Sequence, residues 1–494
     1  VNYQQGSYIA SNASCETLPM LIVQNFSVAN SPISFQGLML KLEGSFPSIQ
    51  LTSGQLNYSD ICLIANYSGQ DQSAIVASAP SSLDMSTNTL IYQVQNIFIT
   101  YQNESSSTKG RLFEFNGFDP SKVATPPKLN VTIHQVSIFC DDNLNPRFLQ
   151  INNAFGVNIT RITGKVIPTI DINADIVSIS TWSFDGASLR PQQFNQLNLT
   201  ERKYSIFISY EASFMARDIS LANFTGFTDM PDIFHLHEQA PKSLEIDQEF
   251  GFKRLNISNN LLLANNDWTF LNMVSDREVQ TGNQNYWFQD IHISQNALKD
   301  TNTSSEFYVF NLNLGSHIKF NNIVFASNND LKLINYIGAG PQYSYLDEFT
   351  QVSFTSNYWK GGSKPVISFE LNTPSPTTIN DPSTMLINQI KIANNNNYNN
   401  FFFINNHGYQ SPSPNQFLKA KTLLQNIQIT GNNFSGSSIF VINGFIVSFT
   451  DSSILQNTVM SSTMFQSSGT FAPLLLTNLK LENNTVVNSM LFFK

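Results

Sequence analysis

The side chains that could do chemistry are few and scattered. His235-x-His237, in DIFHLHEQ, places two imidazoles on one face of a strand, half of a zinc site. No Cys, Asp or third His stands at a convincing spacing, so the pair reads as surface. Lys242, Lys253 and Arg254 have acids nearby and read as a solvated loop. Asp141 with Asp142, and Asn406-His407-Gly408, hold the carboxylate and imidazole types used in general acid–base work, but they lie far apart in the chain. No D-x-D-x-D cluster, no Gly-rich phosphate loop after a strand and no nucleophile elbow is present. The expectation is no catalytic residue, no metal site and no cofactor.

The 3 cysteines are Cys15, Cys62 and Cys140. An odd count leaves one free or paired elsewhere. If one bond forms, Cys15 with Cys62 is the expected pair, with three inert thiols as the open alternative. Stability cannot rest on disulfides in a chain of 494 residues.

The composition says what must hold such residues in place. Only 12% of residues are charged, about half the usual share of roughly 25%. In their place stand 59 Asn and 40 Phe. The deficit of ions excludes a coiled coil or other helix-rich chain. A net charge of −9 argues against nucleic-acid binding. The longest near-apolar run, Ile439 to Phe449, is too short for a membrane span. The chain opens without Met or a signal peptide and stops inside an apolar run, so both ends read as cut or processed, with the chain continuing.

A repeat organises the chain. A polar anchor followed by apolar residues one and three places later recurs at Asn25, Asp60, Asn96, Gln135, Asp218, Asn260, Asp290, Asn322, Gln351, Gln389, Asn426, Asp451 and Asn478. Only Asp451, followed by Ser452 and Ile454, breaks the apolar pair. Alternation of this kind is a strand with one buried face. Five or six residues after each anchor comes another Asn, Asp or Gln, which marks a bend, and a second strand often follows, as in RLFEFN, RFLQIN and SIFVIN. The long interval from Gln135 to Asp218 reads as two units with a weak anchor near Ile176. The section 158–213 is the least regular, with a long loop or small insertion expected in it.

This pattern, over nearly the whole chain, resembles the parallel β-helix, the pectin-lyase-like solenoid. The resemblance implies an all-β, right-handed parallel β-helix over 1–494, a single solenoid of some fourteen coils at about 4.8 Å each. It also implies an asparagine ladder at the bend, each amide bonded to its equivalents above and below: Asn30, Asn66, Asn265, Asn296, Asn328, Asn357, Asn395, Asn432, Asn457 and Asn484. The Phe surplus becomes stacked core. Polygalacturonase-like hydrolases resemble this fold and carry Asp residues, Gly-His-Gly and Arg-x-Lys on adjacent coils. Here Asp141 and His407 would fall many coils apart, which speaks against catalysis.

Sequons occur at Asn12, Asn25, Asn57, Asn103, Asn130, Asn158, Asn198, Asn223, Asn256, Asn302, Asn433 and Asn483, and at Asn66. So much Asn produces nearly that number by composition alone, so placement decides. Asn130 and Asn256 sit between inward apolar residues and face out, whereas Asn66 falls on the ladder and cannot also carry a sugar. Covalent N-glycans are expected on the others.

The reading is a secreted structural glycoprotein at the cell surface: a β-helical segment of a coat, stalk or filament, with no membrane span in this segment. Its expected partners are copies of itself or further β-helical segments, end to end. The Asn, Phe and Gln bias resembles large surface proteins of ciliates and other protists. The alternatives are a carbohydrate-binding or polysaccharide-degrading β-helix and an adhesion ectodomain.

Overall fold

The computed structural model describes the strands and the turns joining them. Outside the described residues lie chiefly 4–14, 67–71, 80–88, 103–110, 119–127, 140–146, 190–203, 240–248, 276–284, 301–305, 339–344, 372–383, 407–420 and 469–473, with shorter breaks between strands. The elements among the described residues are all β-strands. Chain contacts resolve two compact units: Val1–Met230 with Phe234–His237, and Pro231–Ile233 with Glu238–Lys494. Each is a stack of parallel strands of the β-helix kind.

In the first unit the strands Ile33–Leu42, Leu56–Asn66, Thr89–Gln102, Lys128–Phe139, Arg147–Gly164, Thr169–Asp185 and Tyr204–Ala222 each pair with the next, all parallel. A second stack runs through Ile49–Thr52, Ile75–Ser78 and Phe113–Asn116 onto the first half of Arg147–Gly164. The core lies between the stacks: Tyr58 meets Phe113 edge-on at 6.1 Å, and Tyr92 meets Phe115 at 5.4 Å. The section 158–213, expected to be irregular, falls largely in the long paired strands. Its residues 190–203 lie outside the described set.

The second unit repeats the plan. Its long strands, from Glu249–Ser258 through Asn285–Ser294, His317–Ala326, Tyr345–Thr355 and Thr384–Ala393 to Ile446–Leu455 and Leu474–Glu482, are stacked in parallel. A second stack runs from Trp268–Ser275 to Ser489–Phe493. A third, of two-residue strands, runs from Tyr358–Trp359 to Thr485–Val486. Phenylalanines stack in register inside, Phe252 on Phe288 and Phe288 on Phe320 with centroids 6.4 and 4.8 Å apart. Each such pair contributes about 0.5–1.5 kcal/mol beyond its buried area.

The anchors turn out to be the corners of the coils. Asp60, Asn96, Gln135, Asp218, Asp290, Asn322, Gln351, Gln389, Asn426, Asp451 and Asn478 all have φ between 50 and 57°. Asn and Asp enter this left-handed region more easily than other side-chain-bearing residues, which explains their prevalence. The corner turns the strand, so the residues one and three later point inward and are buried, for example Ile97 with Ile99 and Ile323 with Phe325; after Asn478, in contrast, Leu479 is half-buried and Leu481 exposed. Ser452, the exception, is buried too: its hydroxyl accepts from the Ile427 N–H at 3.0 Å and donates to the Thr450 carbonyl at 2.7 Å.

Two anchors were misplaced. The corner assigned to Asn260 is Arg254, at φ 57°. The interval from Gln135 to Asp218 holds two corners, Arg161 and Thr181, rather than one near Ile176. Asn25 lies outside the described residues, and the corner aligned beneath Asp60 is Gly37, at φ 66°. At these places the corner is held by a residue type that a search for amides and Asp passes over, while the apolar residues after it, such as Trp182 and Phe184 or Leu255 and Ile257, are buried as usual.

Candidate functional site

The side chains that the structure brings together in the longest continuous row are amides. Six residues after each corner of the second unit, the chain places an asparagine inside the bend: Asn260, Asn296, Asn328, Asn357, Asn395, Asn432, Asn457 and Asn484. All but Asn484 are buried. Each Nδ2 donates to the Oδ1 of the next, at 2.8–3.2 Å. That same Oδ1 also accepts the backbone N–H of the residue before it in the column, as from Asn328 to Asn357 at 2.9 Å. The second Nδ2 hydrogen goes to a carbonyl of the preceding coil, from Asn357 to Phe325 at 2.9 Å. Successive members are 25 to 38 residues apart in sequence, so loops of different length leave the column undisturbed.

The residue before each column member also has positive φ, as at Asn259, Gln295, Ser327, Ser356, Asn394, Gly431, Gln456 and Asn483. Of the expected ladder, Asn296, Asn328, Asn357, Asn395, Asn432, Asn457 and Asn484 are in the column. Asn30 and Asn265 lie outside the described residues. Asn66 ends its strand opposite Gln102. Asn260, read as an anchor, is the member that was missed; its sixth-place offset from Arg254 would have revealed it.

Outward faces carry further amide rows. In the second unit Asn335 donates to Asn311, Asn311 to Asn272 and Asn272 to Asp232, at 2.8–3.1 Å. In the first unit Asn152 donates to Asn116 and Asn116 to Ser78. At the corners, Asn96 donates to Asp60, Asn322 to Asp290 and Asn478 to Asp451.

Charged groups are tied up in the same way. The first unit sets Glu114 and Asp171 on one outward row, two strands apart through Gln150, hence about 10 Å. Glu114 accepts from Ser73 at 2.7 Å and Asn116 at 3.0 Å, while Asp171 binds the buried Arg111. His235 stacks on Phe207, with centroids 5.7 Å apart, and His237 is half-buried on the same side of its strand. No group of three metal-binding side chains occurs among the described residues. Lys253 is half-buried and Arg254 exposed at its corner. Lys242, Asp141, Asp142, His407 and Gly408 lie outside the described residues, and Asn406 ends a strand.

Cys15 and Cys62 are joined in a disulfide, with Cα atoms 5.6 Å apart, packed with Leu18, Met39 and Phe98. Cys140 lies outside the described residues. Of the sequon asparagines, Asn57, Asn158, Asn223, Asn433 and Asn483 are exposed, and Asn130 and Asn256 half-buried. Gly156, beside Asn130 on the neighbouring strand, leaves the space its side chain occupies: a Cβ there would lie 2.8 Å from Asn130 Oδ1. Asn12, Asn25, Asn103, Asn198 and Asn302 lie outside the described residues. No family model, curated protein or solved structure matches the chain.

Proposed function

We propose that the chain is a structural extracellular glycoprotein, a β-helical segment of a surface coat, stalk or filament. The observation that carries this reading is where the polar side chains are spent. Coil after coil bonds its amides and carboxylates to the coils above and below, so the described polar groups hold the stack together instead of converging on a cleft. The Cys15–Cys62 bond fits an oxidising compartment. Exposed sequons at Asn57, Asn158, Asn223, Asn433 and Asn483 fit a surface kept soluble by N-glycans rather than by charge. No helix among the described residues is long and apolar enough to cross a membrane. The partners in this reading are further coils, added end to end by other copies or other β-helical segments, because an open parallel edge accepts another strand.

A polysaccharide-binding or polysaccharide-cleaving β-helix is the second reading. It draws on the placement of Glu114 and Asp171 on one outward row two strands apart, two carboxylates on one face as glycoside hydrolysis requires. Against it, both carboxylates are already bonded within the protein. Electron microscopy of the native material, with mass measurement before and after N-glycosidase, tests the two. Periodic fibres that lose mass with the enzyme support the structural reading. Discrete particles that depolymerise pectin or a similar polymer overturn it.

A further inference from the structure

Glu306 and Lys332 are buried charged residues, 9% and 5% exposed, as Asp232 and Glu238 are elsewhere in the second unit. Lys332 opens the strand Lys332–Gly338 and pairs with Tyr308, two residues after Glu306 on the coil before. Its Nζ contacts Glu306 Oε2, donates to the Lys364 carbonyl at 2.9 Å and stands 5.6 Å from the centre of the Tyr308 ring. Two residues away is Asp330, half-buried at φ 58°, with its carboxylate fixed by the Lys360 N–H at 2.6 Å. Burial pushes the Lys332 ammonium toward its neutral form and the Asp330 carboxyl upward, toward holding its proton. The Lys332 amine thus touches the Glu306 carboxyl group, with the Asp330 carboxyl two residues along the chain.

We propose that Lys332 and Glu306 condense into an intramolecular isopeptide bond that staples two consecutive coils. The Lys332 Nζ lone pair attacks the Glu306 carboxyl carbon, the new C–N bond forms, and the C–O bond breaks as one oxygen leaves in water. Asp330 carries the proton from nitrogen to the departing oxygen. The step consumes no oxidant or co-reactant: a carboxylic acid and an amine become an amide and water. Its driving force is local, because an ion pair out of water is costly to keep charged while an amide is neutral.

Peptide mapping of the full chain after N-glycan removal tests this, since Asn302 lies in the same tryptic peptide as Glu306. The expected product is a branched peptide joining 300–319 to 320–360, uncut after Lys332 and lighter than the sum of its parts by one water. Lys332→Arg keeps the charge and the fold but cannot form the amide, and should give linear peptides of full mass. Asp330→Asn should slow linkage about 100-fold, the scale of a lost proton carrier. Linear peptides from the wild type, with Lys332 cleaved by trypsin and open to acetylation after unfolding, overturn the proposal. An Asp330→Asn chain that links as fast as the wild type overturns the part assigned to Asp330.

Discussion

The two units build the same coil and fill it differently. The second keeps an asparagine six residues after each corner from Arg254 to Asn478, and all those amides bond along one column. In the first unit the same place after Asp218 holds Phe224, buried at 3%, and Asn223 points outward to bond Asp185 at 2.6 Å. Its interior holds Tyr58 and Tyr92 instead, buried side chains whose hydroxyls have no hydrogen-bond partner among the described residues. Burial accordingly pushes both phenols upward. The second unit thus satisfies the buried amides of its column by repetition, although the Asn329 and Asn396 side-chain oxygens and the Thr422 hydroxyl are buried there without a hydrogen-bond partner among the described residues. The first leaves some unsatisfied and adds a covalent tie, Cys15–Cys62. A corner and its two inward residues are enough to make a coil; the column adds cohesion.

The comparison can be broken at its strongest point first. Asn357→Ala removes an acceptor of two bonds and a donor of two. At about 1–3 kcal/mol for each group left unsatisfied, the second unit should lose about 3 kcal/mol or more in denaturant unfolding, with the first unit's transition unmoved. Next comes the disulfide, which closes a sequence separation of 47 residues. The double variant Cys15→Ser with Cys62→Ser should cost the first unit about 2–4 kcal/mol and leave the second as it was. Tyr58→Phe should raise the first unit's stability by about 1 kcal/mol, because it deletes a buried hydroxyl that bonds to nothing; a loss of that size would mean the hydroxyl has a partner. The smallest effect is expected at the surface. Asn57→Gln should remove one glycan, read as a mass shift in chain secreted from a glycosylating host, and change stability by no more than about 0.5 kcal/mol.

Much of the fold was legible because its rule is short. Apolar residues one and three places after a polar anchor report the inward face, and they do so at Ile97, Ile323 and Ile427 as the sequence suggests. The anchor's meaning was hidden, since a left-handed φ leaves a trace only as a preference for Asn and Asp. Where Gly37, Arg161, Thr181 and Arg254 take the corner, that preference gives no signal. The column was read from Asn296 onward but lost at Asn260, whose register depends on recognising Arg254 as a corner. The outward rows through Asn116 and Asn311 show in sequence only as strands that end in amides, because hydrogen bonds between coils depend on alignments that loops of unequal length conceal. The pairing of Glu306 with Lys332 has no sequence signature for the same reason.

The central claim, that directional amide bonds pass from coil to coil through the second unit, is tested most directly by hydrogen exchange on Asn357→Ala. The Asn328 backbone N–H donates to the Asn357 side chain, whereas the Asn357 N–H donates onward to Asn395. Under native conditions the variant should therefore lose protection at Asn328, one coil back, and keep it at Asn395, whose N–H is held by Asn432. Unchanged protection at Asn328, or an equal loss on both sides, would contradict the account.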